Sequence, residues 1–134
     1  MEVTPYLMVH SAKQFADYAA AVFGAETENV IPLEGDPERV VHGVVRIGTS
    51  TLYFADARMD GAQCLPPYRK GEDPSRTQMY VALPDPAKAY DAAIAKGATS
   101  IMEVTEQEGG TRMGGWVDPF GTLWWVSSEP PRRT

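Results

Sequence analysis

The apolar-rich stretch from Val3 to Val9 alternates enough to be a strand, and the run stops at His10-Ser11. The period then changes. Phe15, Ala19, Val22 and Phe23 share one face of a helix. Ser11 and Gln14 have the spacing of a capping box, in which the hydroxyl accepts from an orphan amide and the glutamine reaches back. Gly24 supplies a left-handed stop. Further strands are predicted at about Thr27 to Pro32, Val40 to Ile47 and Thr51 to Ala55, joined by the Glu34-Gly35-Asp36-Pro37 loop and the tight Gly48-Thr49-Ser50 turn. The first part of the chain is thus βαβββ. From about Ala57 to Ser75, Gly61, Pro66, Pro67, Gly71 and Pro74 interrupt any period, and the stretch reads as a connection.

The pattern then begins again. Gln78 to Leu83 predicts a strand, Asp85 caps a helix whose first position is Pro86, and Gly97 ends it. Strands follow at about Ser100 to Val104, Thr111 to Val117 and Leu123 to Ser127, with turns at Glu108-Gly109-Gly110 and Asp118-Pro119-Phe120-Gly121. The two halves also match in sequence. Ser50-Thr51-Leu52-Tyr53-Phe54 returns as Gly121-Thr122-Leu123-Trp124-Trp125 at an offset of 71, and Thr4-Pro5-Tyr6-Leu7-Met8-Val9 returns as Gln78-Met79-Tyr80-Val81-Ala82-Leu83 at an offset of 74. The expected fold is therefore α+β, two βαβββ modules over about residues 3–56 and 76–127 of one domain, with a connection over 57–75 and a loose tail from Glu129 to Thr134.

Composition narrows the function classes. The chain has 134 residues, 43% hydrophobic and 22% charged, enough for a real core. Its net charge of −6 and the lack of a basic cluster argue against a nucleic-acid partner. No apolar run approaches the roughly 20 residues of a membrane helix, and the N-terminus lacks a basic-then-apolar signal pattern, so a cytoplasmic location is expected. The single cysteine, Cys64, cannot form an intrachain disulfide and reads as an incidental thiol.

The opening Thr4-Pro5-Tyr6-Leu7, the Phe23-Gly24-Ala25 helix end, His42 ahead of Val45-Arg46-Ile47-Gly48, and Asp118-Pro119-Phe120-Gly121 before Leu123-Trp124 resemble the vicinal oxygen chelate superfamily. The resemblance is to its PhnB-like glyoxalase/bleomycin-resistance branch and runs from about Val3 to Ser127. It implies two cup-shaped sheets with helices on their outer faces, a ligand site enclosed by two modules, often from two chains, and hence a homodimer. In metal enzymes of that superfamily, ligands come from the start of the first strand and from the last strand of each module. Carried over, those positions are Thr4, Phe54, Gln78 and Trp125. Divalent ions at catalytic sites want about three imidazole, thiolate or carboxylate donors. This set offers two aromatic rings, a hydroxyl and an amide, so neither metal nor other cofactor is expected.

Strand alternation assigns faces. If Phe54 and Trp125 look into the cup with Leu52 and Leu123, then Tyr53 and Trp124 pack beneath the helices. Thr4, Tyr6 and Met8 point inward on the first strand, Gln78, Tyr80 and Ala82 on its counterpart, and His42, Val44 and Arg46 share a face. An aromatic lining of this kind suits a small organic ligand held by stacking and oriented by a few hydrogen bonds. The ligand-binding candidates are Tyr6, His42, Arg46, Phe54, Gln78, Tyr80, Trp116 and Trp125. Trp116 is included because Gly114-Gly115 beside it would let a ligand approach. Tyr68 and Arg69 in the connection are candidates for a lid. Asp118 reads as a turn former.

Two small-molecule functions compete, beside a third reading as an interaction module whose cup is collapsed and whose role is assembly. One is a metal-independent binding protein for an antibiotic or other natural product, lined by Trp125 and Phe54. The other is a lyase- or isomerase-type enzyme in which His42 moves a proton, imidazole titrating near neutrality, and Arg46 or Gln78 polarises a carbonyl. Each residue also has a purely structural reading: the aromatics as core, His42 as a satisfied histidine, Arg46 as an ion-pair partner.

Overall fold

The computed structural model describes residues 1–62 and 66–128. Cys64 and the tail from Glu129 to Thr134 lie outside them. The chain divides into two compact units between Pro67 and Tyr68. Unit 1 runs β1 (Tyr6–Met8), α1 (Ala12–Phe23), β2 (Glu26–Leu33), β3 (Asp36–Ile47) and β4 (Ser50–Ala55). Unit 2 runs β5 (Met79–Ala82), α2 (Pro86–Ala95), β6 (Thr99–Glu106), β7 (Arg112–Val117) and β8 (Leu123–Ser127). Both units are βαβββ, as the patterning implies. Their four-stranded mixed sheets have the same order, β1-β4-β3-β2 and β5-β8-β7-β6, with the first strand parallel to the last. No described helix is long and apolar enough to cross a membrane.

The helix ends follow local chemistry. Ser11 Oγ accepts from Gln14 N at 3.3 Å, and Gly24 closes α1 at φ 66°, where a Cβ would be penalised. The Gln14 side chain meets His10 Nε2 at 3.3 Å, so only the serine half of the expected capping box is in place. Asp85 Oδ1 accepts from Lys88 N at 3.1 Å and caps α2, with Pro86 at its first turn. β3 begins four residues before its predicted start. The Glu34-Gly35 turn makes β2 and β3 one long hairpin, with Leu33 paired to Asp36.

In unit 1, Phe15, Tyr18, Ala19 and Val22 of α1 cover Val45, Leu52 and Phe54, all buried. In unit 2, Ala89 and Ala93 of α2 sit over the sheet that carries Trp116, Trp124 and Val126. Two polar residues, Asp56 buried and Ser128 half-buried, pin strand ends. Asp56 accepts from Ala12 N at 2.9 Å and Val40 N at 2.7 Å, tying the start of α1 to β3 just past the end of β4. Ser128 Oγ accepts from Arg112 N at 2.9 Å at the matching place in unit 2.

Asp118 organises the β7–β8 loop. Only 1% exposed, it accepts from Phe120 N at 2.8 Å, Thr122 N at 2.9 Å and Trp124 Nε1 at 2.7 Å. Gly121, at φ 93°, lies flat against the Tyr68 ring, where an added Cβ would stand 3.1 Å away, and Gly121 O accepts from Ser75 N. Tyr68 Oη donates to Glu72 O at 2.7 Å, so this part of the connection is an ordered strap on unit 2. Burial pushes the Asp118 carboxyl up to about 6, against the N–H donors that pull it down.

Two outcomes follow from this packing. The folded carboxyl of Asp118 binds its proton more tightly than the unfolded one, so its stabilising protonation is complete below about 3.8 and lost as pH rises through about 6. Urea titrations should show wild type losing about 2 kcal/mol relative to Asp118→Asn between about pH 4.5 and about pH 7.5. At neutral pH the variant should still be the less stable, by about 1–3 kcal/mol, because an amide cannot accept from all three N–H groups. A gap that does not change with pH would refute the buried titration. Trp124→Ala should cost about 3–5 kcal/mol, as expected for a large ring removed from a core.

Candidate functional site

Each sheet has one face under its helix and one face turned away from it, and the strand pairing decides which residues lie on which. Tyr6 pairs with Tyr53 and Tyr80 with Trp125. With the first strands offset by 74, the last strands therefore correspond at an offset of 72, making Tyr53 the counterpart of Trp125. The sequence match at 71 is out by one residue, and one residue in a strand reverses the face. Phe54 accordingly lies under α1, buried, its ring 5.1 Å from that of Phe15. Tyr53 takes the place expected of Phe54. Trp116 also lies on the helix face, fully buried, with its ring 6.2 Å from Tyr90 of α2. Trp124 packs beneath α2 and Trp125 lies on the opposite face, as strand alternation predicts for them.

The glycines explain themselves once the faces are known. A Cβ on Gly43 would stand 2.7 Å from the Phe54 ring, and one on Gly115 would stand 2.5 Å from the Trp125 indole. A Cβ on Gly114 would be 2.7 Å from Val104 Cγ2. These glycines make room for side chains of neighbouring strands. The Gly114-Gly115 pair is thus no opening beside Trp116 for a ligand.

On the free face of unit 1 three rings meet. His42 and Tyr53 are 4.7 Å apart between centroids, Tyr6 and His42 5.5 Å, and Tyr6 and Tyr53 5.7 Å, all edge to face. Tyr6 Oη donates to Val41 O at 3.3 Å and is hydrogen-bonded to His42 Nδ1 at 3.0 Å. Val41 is the extra residue of a bulge: Ile31 pairs with His42, but Pro32 pairs with Val40. Beside the rings lies an open pocket of about 410 Å³, walled by Met8, Ile31, Ala57 and Met59 as well as Tyr6 and His42. Tyr6 is 47% exposed and Met59 88%. The far wall is set by Arg39, whose guanidinium donates to Gly61 O at 2.7 Å and Asp56 O at 3.4 Å, holding the turn that carries Arg58 and Met59. Sequence patterning placed that turn in the connection. Arg39 and Asp60, which accepts from Ala62 N, are the signals that it is structured.

On the free face of unit 2, Trp125 Nε1 donates to Gln78 Oε1 at 2.9 Å, with Tyr80 its neighbour in register and 62% exposed. Arg46 in unit 1 is exposed, donates to Thr51 Oγ1 at 3.0 Å and faces Glu28 at 3.6 Å, so its partners are surface groups.

The metal positions implied by the superfamily do not fit an ion. Phe54 is buried under a helix and Tyr53 in its place brings a phenol rather than an imidazole, thiolate or carboxylate, Gln78 Oε1 already accepts from an indole that itself has no donor electrons to give, and Thr4 contributes only a hydroxyl. Among the described residues no group of three or more His, Cys, Asp or Glu side chains comes together.

No family model matches the chain. An uncharacterised protein of Mycobacterium bovis is 27% identical over 124 residues, covering 91% of this chain and 79% of its own length. Among solved structures, a PhnB protein from Bacillus cereus described as a putative 3-demethylubiquinone-9 3-methyltransferase superposes with a TM-score of 0.72 at 13% identity, over 96% of this chain and 100% of that one. The fosfomycin resistance protein FosX from Listeria monocytogenes superposes with a TM-score of 0.67 at 10% identity, over 98% and 94%. Paired βαβββ units with equal strand order, matched over nearly their whole length by these structures, give the chain the glyoxalase-type fold.

Proposed function

We propose that this protein is a metal-independent binder of a small organic ligand, an antibiotic or other natural product, taken up on the sheet faces turned away from the helices. The carrying observation is the cluster of Tyr6, His42 and Tyr53 beside an open, mostly apolar pocket in unit 1. Sequestration needs affinity alone, and exposed rings with few polar atoms supply it by stacking and desolvation. The ill-fitting donor set at the metal positions supports independence from metal. FosX shows that resistance to an antibiotic occurs on this fold. The Tyr6–His42 hydrogen bond favours a second reading, proton transfer by His42 in a lyase or isomerase, which turnover of a retained ligand would reveal.

The protein is further proposed to act in the cytoplasm as a homodimer. Val30 and Ile31 of edge strand β2 are exposed, as are Tyr80 and Ile101 of edge strands β5 and β6, and apolar edges call for cover. Light scattering at micromolar concentration should give about twice the chain mass. A monomer up to crystallisation concentrations would refute this.

Ligand capture is tested by native mass spectrometry of protein purified from its own source, which should retain a small organic molecule. With acridine orange as probe, tryptophan emission should quench saturably and be indifferent to chelator. Trp125→Ala should weaken binding by about tenfold, equivalent to about 1.4 kcal/mol, with the fold intact. Tyr6→Ala should likewise weaken binding read from the probe's own fluorescence, since no tryptophan lines the unit 1 pocket. Unsaturable quenching, or unfolding of Trp125→Ala, would overturn the reading.

A further inference from the structure

The hydrogen bonds around Tyr6 determine which nitrogen of His42 carries the proton, and with it what the pocket asks of a ligand. A phenol has one proton to donate. Val41 O can only accept, so for its 3.3 Å contact to be a hydrogen bond the Tyr6 proton must point there. The Tyr6 oxygen is then an acceptor toward His42 Nδ1 at 3.0 Å, and Nδ1 must carry the hydrogen of the neutral ring. The opposite tautomer would sacrifice the contact to Val41 O, a carbonyl placed by the β3 bulge. Nε2 is left with a lone pair. Among the described residues no side chain or backbone group is bonded to Nε2, and it is not among the buried unsatisfied atoms, so it is open to a ligand.

Resting on the binding function proposed above, we infer that the unit 1 pocket selects aromatic ligands bearing a hydrogen-bond donor, a phenol or an acidic N–H, which His42 Nε2 accepts while Met8, Ile31 and Met59 enclose the ring. The thioethers and the isoleucine offer area without competing polar atoms. One acceptor in an apolar wall therefore sets the ligand's orientation and rejects isosteres that lack the donor.

The tautomer is tested without ligand. Long-range proton–nitrogen correlation spectra at about pH 8.5, above the ordinary imidazole range, should show the His42 proton on Nδ1, the signals being assigned by their loss in His42→Phe. A proton on Nε2 overturns the inference and leaves the binding function standing. The ligand class is tested with 2-naphthol and its methyl ether, 2-methoxynaphthalene, followed by naphthalene fluorescence. The phenol should bind about fivefold to tenfold more tightly, the worth of one hydrogen bond, and the ratio should fall to about one in His42→Phe. Tyr6→Phe keeps the ring, releases the tautomer and should lower the ratio while the methyl ether still binds. Equal affinity of wild type for the two compounds overturns the ligand class alone. Binding of neither overturns the pocket as a binding site, and the inference with it.

Discussion

Strand parity is the constraint on which this molecule depends. Successive side chains of a strand face opposite ways, so in a sheet with a helix on one face a single residue of register decides between core and open surface. Between the two units the first strands correspond at 74 residues and the last at 72, as the pairs Tyr6–Tyr53 and Tyr80–Trp125 show. The shortfall of unit 2 lies in its elements, α2 having 10 residues against 12 in α1 and β7 having 6 against 12 in β3, while its strand-connecting loops are longer. β3 and β4 are joined by the two-residue Gly48-Thr49 turn, β7 and β8 by the five residues from Asp118 to Thr122. That longer loop is a costly object, with backbone amides to satisfy away from water, and Asp118 satisfies two of them together with the Trp124 indole. The position of Trp125 on the free face thus depends on a carboxylate buried on the other side of the strand.

The same parity shows how the repeated core has diverged. At matched positions, Phe15 of α1 corresponds to Ala89 of α2, while Val45, Leu52 and Phe54 of the first sheet correspond to Trp116, Trp124 and Val126 of the second. Bulk has moved from helix to sheet. Close packing demands that total volume be filled but not that one particular element fill it. An alanine-faced helix can approach its sheet only if the sheet is large, and two tryptophans make it so. Trp116, which beside its glycines reads as a ligand contact in sequence, is one of those volume fillers.

Elements and their order were legible in the sequence because each rests on local chemistry: Ser11 and Gly24 around α1, Asp85 and Pro86 before α2, glycine-bearing turns between strands. Faces were legible where alternation could be counted from a known strand, as for Tyr6, Met8, Tyr80, Trp124 and Trp125. They were not legible for Phe54, because residue similarity between Thr51-Leu52-Tyr53-Phe54 and Thr122-Leu123-Trp124-Trp125 conceals the one-residue shift that hydrogen bonding enforces. Nor could sequence reveal the Val41 bulge or the hold of Arg39 on Gly61, since both join residues distant along the chain.

The free faces, once correctly populated, are built alike and finished differently. Each places a tyrosine of its first strand beside an aromatic of its last, and each bonds a ring to a polar neighbour: Tyr6 to His42 in unit 1, Trp125 to Gln78 in unit 2. In unit 2 the indole proton occupies one lone pair of the glutamine oxygen and fixes the amide, leaving its N–H groups and the second lone pair to offer. In unit 1 the tyrosine consumes one imidazole nitrogen and leaves the other. Internal pairing therefore leaves few open polar valences among the rings of each face. A group so isolated has no competing protein partner, and any ligand that desolvates it must supply the complementary atom or leave it unpaired at a cost of about 1–3 kcal/mol. Under the binding function proposed above, the aromatic surface supplies affinity, while His42 Nε2 in unit 1 and the Gln78 amide in unit 2 decide which molecules can use it.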